Sequence, residues 1–383
     1  MLHFLFSRFP GAVPISEFIS ASIATFPIFA GAMQLTLIVP ELIWPEPADR
    51  ETLDFIDCPA LETLLARSRR TRRAAQSLEA TLADAFGQPP GAPYAAFRLL
   101  GEAYPPAEAS TGCWLCCDPV HLRFHQEQLI LADSTRFEIT AGEAQALAGE
   151  LNRELADVGR FHVAAPDRWY LELADSTLAA ALDTPPLSAV AGRRIDRLLP
   201  ATASARRLRA LHNEAQMLLH AHPLNAQREN DGRLAINSLW LWGAGALPAR
   251  RESDFDGVWS GNPLALGLAR AAGVPTHRLP VDAATLFEHA APDTRQLVVV
   301  EDLLVPVLYQ HGEAYRSALA GLEARWFAPL RAALSSGKIS ALRIEASTAY
   351  AALAWQSTRR EQWKLWRRAQ PLAALAQELA TTA

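Results

Sequence analysis

Lysine is nearly absent from this 383-residue chain, with Lys338 and Lys364 the only two among 36 basic residues. Arginine therefore supplies the cations, and with them the planar fork that grips carboxylate or phosphate at two points. Basic excess is lacking as well. The 41 acidic residues leave a formal charge of −5, which argues against a general nucleic-acid binder. Cysteine is scarce: Cys58, Cys113, Cys116 and Cys117 make no disulfide framework at this length and suit a reducing cytoplasm. Cys113 and Cys116 have C-x-x-C spacing. No second ligand pair follows at the interval of a zinc site, so buried thiols on a strand are expected. No run of about eighteen uncharged apolar residues occurs, so neither a spanning helix nor a membrane partner is expected. The G-x-S-x-G of a nucleophile elbow is missing. Gly243-Ala-Gly245 lacks the third glycine and the Lys-Ser/Thr that a phosphate loop requires.

What remains is a chain that is 50% hydrophobic, enough to fill a sizeable core. Leu35 to Val39 is a short apolar run ended by Pro40 and reads as a buried strand. Residues 1–32 hold an apolar stretch interrupted by Pro10, Pro14 and Pro27 and ending in Ala30-Gly31-Ala32, superficially like a signal peptide. They are read instead as an extension ahead of a true start at Met33. Pro59 to about Phe86 has helical spacing, with the five arginines from Arg67 to Arg73 as a solvated face or a helix break. Between about 103 and 173 alternating runs read as hairpins around a helix opened by the capping box Thr140-Ala-Gly-Glu143. Ala205 to His222 reads as a strong helix. The chain then returns to strand–helix alternation, with strands at 238–242, 296–300 and 340–344 and a helix from Glu313 to Leu334. The pattern predicts an α/β fold, a mostly parallel sheet flanked by helices, with a smaller inserted α+β domain. The core halves are 33–100 and 236–350, the insert is 101–235, and 351–383 is a basic, Trp-rich C-terminal helix.

The series Leu219-His-Ala-His-Pro-Leu-Asn225, Arg228, Gly232 and Ile236-Asn-Ser-Leu-Trp-Leu-Trp-Gly-Ala-Gly245 resembles the cofactor-independent, archaeal-type phosphoglycerate mutases of the alkaline-phosphatase-like superfamily. Asp118-Pro-Val-His-Leu-Arg123, Ala165-Pro-Asp-Arg-Trp-Tyr170 and Asn237 to Gly243 resemble bacterial RpfE-type regulatory proteins more closely. The mutase resemblance implies two divalent metals and a serine that becomes phosphorylated. Counting back from Leu99-Leu100-Gly101 places Ala92 at the nucleophile, and a methyl group accepts no phosphoryl group. Where the family carries metal ligands at strand ends, this chain offers only Glu41, Asp302, His311 and Glu345, a residual metal set whose simpler role is solvation or capping.

Two roles fit the polar cluster His222, Asn225, Arg228 and Asn237 with Gly243 and Gly245. One is a pocket for a small anion or sugar phosphate. The other is a buried hydrogen-bond network that locks the insert to the core. The RpfE-type resemblance implies a regulatory role. The missing nucleophile and metal ligands lead to the expectation of a non-catalytic regulatory or ligand-sensing protein of the cytoplasm, needing no cofactor, whose partner is a small phosphorylated metabolite or a regulatory protein. Two alternatives stand beside it. One is an active phosphoglycerate mutase or phosphotransferase with relocated ligands, requiring Mn or Mg. The other is a protein-interaction scaffold working through the tail, where Trp355, Trp363 and Trp366 interleave with basic residues. Such interleaving also binds single-stranded nucleic acid, an unfavoured reading for an acidic chain.

Overall fold

A computed structural model describes residues 32–382 except 104, 126–127, 196–197 and 199–205. The extension expected over residues 1–32, save its last residue, lies outside the described residues, as does Ala205 at the expected helix start.

The apolar run after Met33 forms β1 (Met33–Ile38), which sits in the middle of a seven-stranded sheet. The other members are β2 (Arg69–Arg73), then β8 (Gly257–Trp259), β9 (Thr276–His277), β10 (Arg295–Val299), β11 (Ile339–Ser347) and β12 (Ala352–Thr358). The sheet order is β2-β12-β11-β1-β10-β8-β9. β1 pairs in parallel with both β10 and β11, and β8 and β9 continue the parallel run. Only β12 reverses direction against its neighbours. Leu35, Leu37, Val298, Leu342 and Ile344 are buried against helices on one face, while Ile38, Val258, Leu297 and Val299 feed a second core on the other. This is the α/β arrangement the alternation predicts, with helices on both faces.

The antiparallel module is a second sheet of β3 (Cys113–His125), β4 (Gln128–Ala132), β5 (Gly159–Ala165), β6 (Arg168–Leu173) and β7 (Ser238–Ala246). β7 lies in the half assigned to the core, yet it pairs with β3 in the smaller sheet. Period-two placement puts Trp240 and Trp242 on one face, where both are buried with Trp114 and Tyr170. The capping box forms as read: Thr140 Oγ1 accepts from Glu143 N at 3.2 Å, and Thr140 N donates to Glu143 Oε2 at 2.8 Å. The helix it opens runs Ala141–Glu154.

The two sheets meet through a close helix pair, Tyr94–Gly101 against Pro263–Ala272. A Cβ at Gly267 would fall 1.6 Å from Phe97 O, and one at Gly101 would fall 1.7 Å from Pro263 O. Glycine is required at both crossings because backbone fills the space a side chain would need.

Three local expectations are corrected. The helix expected from Pro59 to Phe86 stops at Arg67, and the arginine run becomes edge strand β2, each of its residues exposed, before a new helix at Leu78–Ala85. The helix expected from Glu313 to Leu334 is interrupted by a π-turn at Glu323–Phe327. The C-terminal segment is not one basic helix. Its first part is β12, which buries Trp355, and only Leu372–Thr381 forms a helix of length. Every residue of β12 but Gln356 and Thr358 is buried, and a helix there would leave β11 unpaired on that side.

Candidate functional site

In parallel sheets the carboxyl ends of the strands open toward ligands, because each strand turns there into a connecting loop. The loops after β1 and β10 and the last residue of β11 place Glu41, Glu301 and Ser347 at that end of the sheet. A cleft of about 230 Å³ opens there, lined by Glu41, Gln76, Ser77, Ser188, Arg193 and Ser347 among others. Its walls come from the core strands, from the segment after β2, and from the insert.

Glu41 is held in the left-handed region at φ 56°, and its N–H donates to Ser347 O at 2.8 Å. A non-glycine residue in that conformation is strained, and such strain collects at functional sites. Burial pushes the Glu41 carboxyl up to about 7, against the opposing pull of the Arg193 guanidinium. Its Oε2 is buried without a hydrogen-bond partner among the described residues. Behind the cleft, Ser188 Oγ donates to Glu79 Oε2 at 2.7 Å, and Asn262 Nδ2 donates to Glu301 Oε1 at 2.8 Å. Burial raises both of these carboxyls as well. The region thus holds three acids biased toward their protonated forms, with the Arg193 guanidinium acting on Glu41 and that of Arg98 on Glu79. Chemically it can donate hydrogen bonds from neutral carboxyl and hydroxyl groups and attract an anion to the Arg193 guanidinium.

Sequence reading singled out Glu41 but not its companions. Glu79 stands on a short helix whose sequence gives no sign that a carboxylate is buried, and Ser188 and Arg193 come from the insert. Nothing in the linear order joins them to β1.

The residual metal set does not assemble. Asp302 pairs with Arg325 at 2.6 Å, His311 lies beside Arg136, and Glu345 is bound by Arg343 on the same strand. Glu41 alone of the four lines the cleft. No group of three or more His, Cys, Asp or Glu among the described residues is placed to hold a metal ion. The donor set therefore does not fit the pair of divalent metals that the mutase resemblance implies. Ala92 is buried, packed in the core cluster with Phe97 and Leu264, and does not line the cleft. The thiols of Cys116 and Cys117 face different core clusters, with Cys113 on the side of Cys117, so the C-x-x-C pair points to opposite faces.

The polar cluster at 222–245 is spread through the insert and its seam with the core, and the side chains of Asn225, Arg228 and Asn237 are satisfied by protein. His222 caps the helix Pro223–Asn230 by accepting from Leu224 N at 3.1 Å. Asn225 donates to Leu219 O and Ile236 O at 2.7 and 2.8 Å and accepts from Ile236 N at 2.8 Å. Arg228, 1% exposed, donates to Leu234 O, Glu143 Oε1 and Glu138 O, each at 2.9 Å. Asn237 exchanges two hydrogen bonds with the Leu122 backbone. Gly243 and Gly245 have positive φ and lie against Tyr94 and Pro93, where they admit the start of the helix Tyr94–Gly101.

No protein-family model matches the chain. Over 214 residues it is 29% identical to the 2,3-bisphosphoglycerate-independent phosphoglycerate mutase of Methanosarcina mazei, covering 52% of this chain and 51% of that protein. It is 30% identical over 173 residues to 2,3-bisphosphoglycerate-independent phosphoglycerate mutase 2 of Methanothermobacter thermautotrophicus, 43% of this chain and 42% of the other. The chain is distantly similar to cofactor-independent phosphoglycerate mutases and spans about half the length of these curated relatives. A solved protein of Pyrococcus horikoshii matches with a TM-score of 0.54 at 13% identity, over 92% of this chain and 96% of that one. That likeness is one of fold. No helix among the described residues is long and apolar enough to cross a membrane.

Proposed function

We propose that this chain is a non-catalytic, ligand-sensing regulatory protein, RpfE-like, built on a phosphoglycerate mutase-like fold. The observation that carries the reading is the buried methyl group of Ala92 where the resemblance puts the phosphorylated serine. The dispersal of Asp302, His311 and Glu345 onto separate arginine partners supports it, since metal-assisted phosphoryl transfer needs converging donors and an in-line hydroxyl. The cleft at Glu41 and Arg193 is the proposed binding site, and a small phosphorylated metabolite is the proposed ligand. Arg193 would take the phosphoryl oxygens, and Glu41, close to half-protonated near neutral pH, would donate to a ligand oxygen. Four free cysteines support a reducing, cytoplasmic setting.

Two measurements test this. Purified protein with manganese is assayed for interconversion of 3- and 2-phosphoglycerate; no turnover is expected, and chelator-sensitive turnover overturns the reading. A thermal-shift series with 3-phosphoglycerate and sugar phosphates should raise the melting temperature, because a ligand bound only by the folded state stabilises it. That rise should vanish in Arg193→Ala.

A further inference from the structure

The C-terminal segment leaves one surface unexplained by the cleft. Between the short helix Arg359–Gln362 and the helix Leu372–Thr381, three large apolar side chains stand in solvent: Trp363 is 69% exposed, Leu365 66% and Trp366 76%. Soluble surfaces scatter such residues singly, so three within four positions mark an interaction site. Arg359, Arg360, Lys364, Arg367 and Arg368 flank them with Glu361 as the single carboxylate, on a chain whose total charge is −5.

The projection is preformed. Consecutive backbone turns, Trp363 N to Arg360 O, Lys364 N to Glu361 O and Arg367 N to Lys364 O, fold it tightly. Both of its ends are pinned to the core: Arg67 Nη1 donates to Gln362 O at 2.8 Å, and Arg367 Nη1 donates to Ser68 O at 3.1 Å. Ordering this segment on contact therefore costs little conformational entropy. Beside its base lies a groove of about 670 Å³ whose lining includes Trp366, Arg367 and Arg368, with Arg70 and Glu378 paired across it.

We propose that Trp363, Leu365 and Trp366 form a docking surface for an anionic lipid bilayer. Indole rings settle at the headgroup level because one side of the ring is apolar and the N–H is polar. Leu365 between them reaches the acyl boundary. The flanking cations meet lipid phosphates, with Arg367 and Arg368 presenting a headgroup to the groove. A protein partner fits less well, since protein interfaces exclude lysine from their centres and Lys364 sits between the exposed rings. Single-stranded nucleic acid uses stacking platforms, and Leu365 supplies none. Such contact is peripheral and needs no spanning helix.

The test is sedimentation of the full chain with vesicles of phosphatidylcholine containing phosphatidylglycerol, against pure phosphatidylcholine vesicles and inorganic phosphate. Binding to the anionic vesicles only is expected, weakened by salt, with tryptophan emission quenched by brominated acyl chains. Trp363→Ser/Trp366→Ser should abolish binding, and Lys364→Gln/Arg368→Gln should weaken it roughly 30-fold. All these side chains are exposed or half-buried, so unchanged melting temperatures will show that the variants fold. Equal binding by the tryptophan variant overturns the proposal. So does absence of vesicle binding, whether accompanied by a shift with a single-stranded oligonucleotide or by a dimer that the tryptophan variant breaks. Protection of the groove by free phosphate, without vesicle binding, also overturns it.

Discussion

Arg98 and Asp118 join the helix Tyr94–Gly101 to the smaller sheet through paired hydrogen bonds, Nη1 to Oδ2 at 2.8 Å and Nη2 to Oδ1 at 2.6 Å, both side chains buried. The guanidinium lies 4.7 Å from the Tyr170 ring centroid and 5.0 Å from that of Trp242, whose indole also donates to Asp118 at 2.8 Å. Arg98 belongs to the helix of the core and Asp118 to a strand of the insert. Asp118→Ala should therefore destabilise the protein by about 3–5 kcal/mol, because it leaves a buried cation unpaired. Replacing both partners by apolar residues should cost less. Urea unfolding of the single and double variants measures the difference.

The helix crossing gives a second expectation. Gly267→Ala forces a methyl group into the Phe97 carbonyl, and overpacking of this kind costs about 1–3 kcal/mol or more. The expected reading is a lower urea midpoint with an unchanged slope. Gly261→Ala, at a site with open space around the Cβ, serves as the neutral control.

Acidity separates two carboxylates. Glu41 rises from 4.5 to about 7 in the folded state, so the folded protein holds a proton that the unfolded chain releases. Its contribution is present below pH 4.5 and is lost as pH rises through about 7. Glu41→Gln should remove that loss, gaining on the order of 2 kcal/mol at pH 8 relative to the parent.

Glu143 runs the other way. Burial alone would raise it, but hydrogen bonds from Arg233, the Thr140 backbone and Arg228 outweigh burial and hold it at about 2. Its stabilisation is full above pH 4.5 and disappears as pH falls toward 2. Glu143→Gln should flatten the acid limb of the stability curve, followed by denaturation at successive pH values.

Restoring the missing hydroxyl should restore nothing. Ala92→Ser is expected to gain no mutase turnover, because donors for the metals do not converge. It should cost about 1 kcal/mol, since Ala92 is 4% exposed and the new hydroxyl is buried.

How far the sequence carries depends on the range of the interaction. β1 and the Thr140 capping box are legible because apolar runs and side-chain caps act over a few residues. The pairing of β7 with β3 is not, since period two marks a strand without naming its neighbour. The arginine run illustrates the same limit: Arg69 to Arg73 has no apolar member, and only the need to cover β12 makes it a strand. At the site, Glu41 stands out by its place after a strand, whereas the burial of Glu79 follows from packing against an insert far along the chain.

The edge formed by β2 has a consequence for the molecule in crowded solution. Among the described residues no further strand pairs with its outer side, and four of its five residues are arginines. A second copy aligning there would strip four guanidinium groups of water and disturb the pairs that Arg70 and Arg73 make with Glu378 and Asp84. At the far side β9 is only two residues long, too short to template another strand. The sheet is closed to end-to-end growth at one edge by charge and at the other by brevity, so copies of this chain should not polymerise through it.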